Sequence, residues 1–236
     1  MSRFSDVRCT PRERQRRVSR RSFLEKGLLA VSAIAGIGTR SQANQTDLPV
    51  GNAFSLRYLL ASCLYGYAAL EEIIPEVRKT GATAIDLWPK VHGNQREQLD
   101  SLGVDRFREL LDRHSVRLGC LTRYDLGPYA LSDEIRLAKR LSCHLIVTGA
   151  RGPTGLKNDS LRMAVRDFVE KLKPILELAE DSGVTIAIEN HGNSLIESPD
   201  SMRWLAEAWP SPTLSVAFAP YHLPQDTTLL AQLIRD

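Results

Sequence analysis

The sequence predicts an α/β protein whose parallel βα units belong to a TIM-barrel-type (β/α) fold, with about six of the usual eight units present. Strand-like apolar runs alternate with amphipathic, helix-like segments over residues 55–236, a pattern typical of βαβ units. The units repeat about every 30 residues, the size of one strand with its crossover helix. An open doubly wound sheet is the alternative. The barrel is favoured because no Gly-x-Gly-x-x-Gly follows the first strand and because polar residues follow nearly every strand.

Each expected element follows from apolar spacing and from the residues at its ends. The expected strands cover residues 56–63, 82–88, 116–122, 144–148, 185–189 and 214–219. The expected helices cover residues 68–80, 106–114, 133–141, 160–182, 200–208 and 227–235. Ser132 is a candidate helix cap, Pro174 is expected to break or bend the longest helix, and Gly183 is expected to end it.

The basic charge of the chain is concentrated before this domain. Residues 1–43 hold 10 of the 31 Lys and Arg residues and 3 of the 28 Asp and Glu residues, which leaves 21 basic and 25 acidic residues in 44–236. The segment 19–26, with adjacent arginines at 20 and 21, matches the twin-arginine export pattern. A short apolar core at 27–38 and small residues at 41–43 follow it.

These features predict a twin-arginine signal peptide at residues 1–43, a short linker at 44–54 and one domain at 55–236. We therefore expect a bacterial protein that is periplasmic or exported by the twin-arginine pathway, with no stable membrane anchor, since the apolar core is too short to span a bilayer. A basic nucleic-acid-binding arm is the alternative reading of the N-terminus. The mildly acidic body argues against a nucleic-acid partner.

The end of the fifth expected strand carries the strongest functional signal. The apolar run at 184–188 is followed at once by Glu189, Asn190 and His191. The carboxyl ends of parallel strands form the sites of such folds because helices cover the other surfaces, and an unpaired carboxylate is costly to bury there. Glu189 is therefore a candidate site residue. The alternative is a glutamate that turns to solvent or caps the next helix.

Polar and aromatic residues also follow the other strands, and this mixture suits a hydroxylated, sugar-like ligand. The candidate catalytic residues are Glu189 and His222. The candidate substrate-binding residues are Trp88, His92, Arg123, Asn190 and His191. Arg123 and Arg151 could bind a phosphate or carboxylate, with solvated loop arginines as the alternative. Asp86 lies within its strand, so the direction of its side chain is left open.

These strand ends resemble those of the xylose isomerase-like barrels, also called sugar phosphate isomerases/epimerases. Ile-Glu-Asn-His-Gly at 188–192 is similar to their fifth-strand end, whose glutamate binds a divalent metal and can move a proton. Asp-Leu-Trp-Pro at 86–89, with His92, resembles their second-strand end, and Ala-Pro-Tyr-His at 219–222 resembles their sixth-strand Asp-x-x-His motif. The resemblance implies a sugar or sugar-acid isomerase/epimerase, with Glu189 as a ligand of Mg, Mn or Zn.

Two departures from that pattern leave alternatives open. Ala219 stands where the family has a metal-binding aspartate, and the family's last two ligands come from a seventh and an eighth strand that this sequence lacks. We therefore expect a C-terminally truncated barrel. A six-unit protein that dimerises through its open side is the alternative.

Three functions remain open from the sequence, and a small carbohydrate is the expected partner of the first two. The first is an exported isomerase/epimerase-like protein that transfers a proton next to a carbonyl, with or without metal assistance. The second is a non-catalytic or degenerate sugar-binding copy, which Ala219 favours. The third is a DNA-repair endonuclease, against which the acidic body and the export signal argue.

Overall fold

A computed structural model describes residues 56–236 of the chain. The expected signal peptide and linker lie outside the described residues. The strands are β1 (Leu59–Ala61), β2 (Ala84–Leu87), β3 (Arg117–Thr122), β4 (Leu145–Gly149), β5 (Thr185–Glu189) and β6 (Leu214–Ala217). The helices are α1 (Leu70–Lys79), α2 (Gln95–Leu102), α3 (Val104–Arg113), α4 (Ser132–Arg140), α5 (Asn158–Ser182), α6 (Pro199–Ala208) and α7 (Thr227–Arg235). Two 3₁₀ turns follow strands, at Ser62–Tyr65 and Pro220–His222.

The six strands form one parallel sheet in the order β1-β2-β3-β4-β5-β6. This consecutive order is that of a barrel, because a doubly wound sheet reverses its strand order at a switch point. The barrel-type prediction is therefore confirmed, and the doubly wound alternative is wrong. Within residues 56–236 the sheet is open between β1 and β6. Dimerisation through that side stays a prediction.

The core lies between the outer face of the sheet and the surrounding helices. Its largest fully buried side chains come from both layers and include Phe107, Phe168, Ile73, Ile85, Leu121 and Ile135. Burying each such side chain contributes about 1.5–3 kcal/mol. Among residues 56–236, no helix has the length and hydropathy that a membrane span requires.

Several element boundaries match the prediction, and others differ for local reasons. The fifth strand and the last helix have the predicted bounds, and Gly183 ends α5 in the left-handed conformation at φ 67°. The same helix continues through Pro174, so a break there is wrong, while a bend at this residue stays a prediction. Ser132 is the first residue of α4, and Leu131 takes the cap position without a side-chain hydrogen bond.

Helix α2 was not predicted. Its sequence is strongly polar, with apolar side chains only at Leu99 and Leu102, so it shows little amphipathic period. The first strand is also shorter than predicted, since the chain turns into a 3₁₀ helix at Ser62. The Ser62 hydroxyl oxygen accepts a hydrogen bond from the Trp88 N–H at 3.0 Å, which ties the ends of β1 and β2 together.

Candidate functional site

Side chains alternate in direction along each strand. This alternation decides which residues reach the barrel mouth, the side of the sheet where the carboxyl ends of the parallel strands lie. At the end of β2, Leu87 packs in the core, while Asp86 and Trp88 lie on the opposite side and contact each other. The pattern repeats at the end of β3: Thr122, its last residue, contacts Asp86, whereas Arg123 turns towards the helices. The mouth is therefore lined by every second residue.

Asp86 is a carboxyl group of this cluster whose two oxygens are held by neighbouring side chains. Its oxygens accept hydrogen bonds from the Trp88 indole N–H at 2.7 Å and from the Thr122 hydroxyl at 2.9 and 3.0 Å. Burial raises the pKa of Asp86 to about 6, and these hydrogen bonds only partly oppose the rise. The carboxyl group thus changes charge close to neutral pH. The sequence left its direction open because strand alternation depends on the register with neighbouring strands.

Glu189 lies at the end of β5, half-buried, between two tyrosines. The Tyr221 hydroxyl donates to Glu189 Oε1 at 3.3 Å. Burial raises the pKa of the Tyr124 phenol, and the nearby carboxylate of Glu189 raises it further. Asp86 adds to the same shift, so both carboxylates lie near the Tyr124 hydroxyl. Neither tyrosine was among the predicted site residues, although Tyr221 and Tyr124 both follow strand ends.

Three aromatic rings pack against one another at tilted angles near Glu189. The ring of His222 lies 4.0 Å from that of His191 and 4.2 Å from that of Tyr221, between ring centroids. The Nε2 atom of His222 is enclosed and has no hydrogen-bond partner in the part of the chain that the structure describes. A buried polar atom without a partner is costly, so this nitrogen is a candidate contact for a ligand oxygen.

Trp88 and His92 extend the cluster on its other side. The Trp88 ring packs edge-on against Tyr124 at 5.5 Å and against His92 at 5.7 Å, between ring centroids. His92 is exposed on the loop after β2. Through these contacts the structure brings together Trp88, His92, Glu189, His191 and His222 of the predicted set.

Arg123 is not part of this cluster, and the prediction that it binds substrate is not supported. The residue is 8% exposed, and its guanidinium pairs with Asp125 at 2.8 Å and with Glu134 of α4. Glu134 also pairs with the buried Arg96 at 2.8 Å. The network joins β3 to the helical layer, and its carboxylates neutralise Arg123. Strand alternation explains the placement, since Arg123 follows the mouth-facing Thr122.

Asn190 is likewise used within the protein rather than at the mouth. It is fully buried. Its Nδ2 donates to the Ala219 carbonyl oxygen at 2.9 Å, and its Oδ1 accepts from the Ala219 N–H at 2.7 Å. Its hydrogen bonds hold the end of β5 against the segment after β6. The predicted substrate-binding role of Asn190 is therefore not supported.

The donor groups present do not make a complete divalent-metal site. Among residues 56–236, no three His, Cys, Asp or Glu side chains converge as metal ligands. Glu189 is the single carboxylate at the end of β5, and the neighbouring position after β6 is the buried Ala219. Magnesium and manganese prefer several oxygen ligands. We derive no step through a metal ion, and the ligand role of Glu189 stays a prediction.

A separate cavity of about 940 Å³ lies between β6, α6 and α7. Its walls are mostly apolar and include Leu205, Val216, Phe218 and Leu233. It lies on the helix side of the sheet and contains none of the clustered residues described above. The candidate site is therefore the strand-end cluster, where carboxylates, phenols and imidazoles meet.

The comparisons with known proteins agree with this architecture. A family model described as xylose isomerase-like TIM barrel matches residues 74–235. No curated protein sequence matches the chain.

Solved structures share the fold at low sequence identity. A probable 3-DHS dehydratase, AsbF, involved in petrobactin synthesis in Bacillus anthracis, has a TM-score of 0.60 and 17% identity, over 76% of this chain and 70% of that one. The 3-keto-D-glucoside 4-epimerase YcjR from E. coli has a TM-score of 0.58 and 13% identity, over 77% and 75% of the two chains. A Mycobacterium smegmatis protein in complex with magnesium has a TM-score of 0.56 and 13% identity, over 75% and 71%. At these identities the likeness shows the fold alone.

Proposed function

The chain belongs to the xylose isomerase-like TIM barrel family, and we propose that it transfers a proton at the carbon next to the carbonyl group of a sugar or sugar acid, as an isomerase or epimerase does. The observation that carries this proposal is the position of Glu189, which accepts a hydrogen bond from Tyr221 and lies beside Tyr124 at the barrel mouth. A carboxylate next to two phenols combines a proton acceptor with proton donors. This chemistry requires both.

We assign the proton abstraction to Glu189. The side chain is half-buried, so a substrate can reach it while the surrounding protein excludes much of the water. The Tyr221 hydroxyl orients Oε1 through one long hydrogen bond of 3.3 Å. A carboxylate has about four lone-pair positions, so this contact leaves it able to accept a substrate proton.

We assign the stabilisation of the negative charge formed on the carbonyl oxygen to Tyr124 and His222. The raised pKa of the Tyr124 phenol keeps it protonated, and therefore a hydrogen-bond donor, at every physiological pH. The Nε2 atom of His222 has no hydrogen-bond partner within residues 56–236, so its hydrogen-bonding capacity is unused by the protein. Donors aimed at the developing charge lower the barrier of this kind of reaction.

Asp86 is the candidate for the second proton transfer. With a pKa of about 6, its carboxyl group is present in both protonation states near neutrality and can give a proton or take one. The adjacent Trp88 offers an aromatic face to the C–H edges of a sugar ring. The proposed partner is accordingly a small carbohydrate.

A non-catalytic sugar-binding barrel is the second candidate, and one observation favours it. Ala219 occupies the position after β6 where the sequence resemblance implies a carboxylate, so a metal-dependent reaction would lack one ligand. Such a protein would bind carbohydrate at the same mouth without exchanging its protons.

Solvent-proton exchange separates the two candidates. The full chain is incubated in D₂O with aldohexoses, ketohexoses and hexonates, and loss of the C–H signal next to the carbonyl is followed by NMR. We expect exchange with the native protein and a loss of at least about 100-fold in Glu189→Gln, which keeps the shape of the side chain but removes the base. Binding without exchange would support the sugar-binding candidate, and neither binding nor exchange would contradict both.

We also propose export by the twin-arginine pathway, supported by the sequence pattern at residues 19–26. Replacing Arg20 and Arg21 with lysine keeps the charge and removes the guanidinium pair. We expect the native chain in a periplasmic fraction and the double-lysine variant in the cytoplasm of a bacterial host. Equal distribution of the two proteins would contradict this localisation.

A further inference from the structure

Arg151 is an exposed cationic residue on the loop after β4, the strand whose end pairs with that of β5. It lies two residues beyond Gly149, the last residue of β4 and the register partner of Glu189. Gly149 faces Tyr124, since a Cβ atom there would lie 3.7 Å from Tyr124 Cδ1. The chain therefore emerges from β4 beside the phenol that neighbours Glu189.

The guanidinium of Arg151 reaches across to the loop that follows β3. A Cβ atom on Gly127 would lie 2.5 Å from Arg151 Nε and 3.1 Å from Nη2, so only glycine leaves room for the guanidinium there. The φ of +67° at Gly127 also favours glycine. Burial raises the pKa of the nearby Tyr129 phenol and the charge of Arg151 opposes that rise, which is further evidence that the guanidinium lies against this loop.

Arg151 forms no ion pair with any residue in 56–236. The other arginine after a strand, Arg123, is neutralised by Asp125 and Glu134. An anionic ligand at this mouth would meet Asp86 and Glu189, two acidic groups that disfavour its binding. A guanidinium without a carboxylate partner offsets that repulsion and offers paired N–H donors to a carboxylate or phosphate.

We infer that Arg151 selects substrates that carry an anionic group, so that the protein acts on sugar acids or sugar phosphates in preference to neutral sugars. The inference rests on the proposed function, because it names the substrate class of the same site. Carboxylate and phosphate share the recognition by a guanidinium, and the measurement distinguishes them.

The test compares matched ligands by isothermal titration calorimetry on the full chain. The probes are D-glucose, D-gluconate and D-glucose 6-phosphate, with the corresponding galactose series. The variants are Arg151→Gln, Arg151→Lys and Lys90→Gln. Lys90 is the matched control, since it is an exposed lysine on the loop after β2 and forms no ion pair within the described residues.

We expect the native chain to bind one anionic series at least about tenfold more tightly than the neutral sugar. Arg151→Gln should remove that preference, Arg151→Lys should keep part of it, and Lys90→Gln should change it by less than about twofold. The series that binds more tightly identifies carboxylate or phosphate as the group.

Two results would overturn the inference while leaving the proposed function in place. One is equal binding of neutral and anionic sugars together with Glu189-dependent proton exchange. The other is an equal weakening of all ligands in Arg151→Gln, which would mean that the arginine only packs against Gly127. If no probe binds and no sugar exchanges its proton, the proposed function fails as well.

Discussion

The amide of Asn190 bonds both backbone groups of Ala219: Nδ2 donates to the carbonyl oxygen at 2.9 Å, and Oδ1 accepts from the N–H at 2.7 Å. All of these atoms are buried. The pair closes the space between the ends of β5 and β6, and so sets the distance between Glu189 and the segment that carries Tyr221 and His222.

Asn190→Ala should therefore destabilise the domain. The substitution leaves the buried N–H of Ala219 without a partner and its C=O with only the His222 N–H at 3.2 Å, which costs about 1–3 kcal/mol in total. Urea unfolding followed by circular dichroism measures the change. Gln232→Ala, at an exposed position of α7, is the control and should change the free energy of unfolding by less than about 0.5 kcal/mol. Equal stability of the two variants would contradict the structural role of Asn190.

The raised pKa of Asp86 predicts that the stability of the protein depends on pH in a specific way. Its folded-state pKa of about 6 exceeds the ordinary value of 3.8, so between these values the folded protein holds more protons than the unfolded chain. The free energy of unfolding contributed by this group therefore falls as the pH rises from about 4 to 6, by about 3 kcal/mol at most.

Asp86→Asn removes this titration, because the amide stays neutral. As the pH rises from 4 to 7, the free energy of unfolding of the native chain should therefore fall relative to that of Asp86→Asn. Urea unfolding at several pH values measures it, and contributions from other groups cancel in the difference. Parallel pH profiles for the two proteins would show that Asp86 is not titrating in this range.

Tyr124→Phe should slow proton exchange by about 10- to 100-fold, since it removes a donor from the charge that develops on the substrate. The phenyl ring keeps its contact with Trp88, so the fold should be unaffected. Tyr221→Phe is the matched comparison. Its hydroxyl makes a long hydrogen bond of 3.3 Å and its side chain is 70% exposed, so we expect a loss of less than about threefold. The same deuterium exchange experiment measures both, and the reverse order of effects would contradict the assigned role of Tyr124.

Arg123→Met should affect stability and not ligand selection. Removing the guanidinium leaves Glu134 with Arg96 as its remaining ion-pair partner, and it leaves Asp125 with no ion-pair partner among residues 56–236. This should lower the free energy of unfolding by about 3 kcal/mol. Arg136→Gln, which breaks an exposed pair with Asp133, should cost less than about 1 kcal/mol. Chemical unfolding and the sugar titrations together test this. A changed preference for anionic sugars in Arg123→Met would show that Arg123 takes part in ligand binding.

Ala219→Asp should increase the affinity for Mn²⁺ by about tenfold, which corresponds to about 1.4 kcal/mol. The new carboxylate would lie after β6, next to the strand that carries Glu189, and would supply the second oxygen ligand. Ala219→Asn is the control, because it has nearly the same size without the charge. Titration followed by electron paramagnetic resonance measures free Mn²⁺, and equal affinity in both variants would mean that the site lacks more than one ligand.

The order of strands and helices was predictable from the sequence because it depends on local periodicity. The run at 185–189 is β-branched and apolar until its final glutamate, and the segment 227–235 keeps a helical spacing; both elements have the predicted bounds. Helix α2 was missed because its polar sequence has almost no apolar period. Glu189 was identified because a carboxylate at the end of a buried strand is unusual in any tertiary context.

The composition of the site was decided only by the tertiary structure. Asn190 and Arg123 come one residue after Glu189 and Thr122, the last residues of β5 and β3, yet their side chains bind Ala219 and Glu134 within the protein. Asp86 enters the site because the neighbouring strand β3 brings Thr122 against it, and Tyr124 enters it because Glu189, two strands away on β5, lies beside it. The sequence by itself determined which segments are strands and, for β3 and β5, where they end, since that information is local. Which side chains meet there depends on register between strands that are distant in the chain, and this information exists only in the folded sheet.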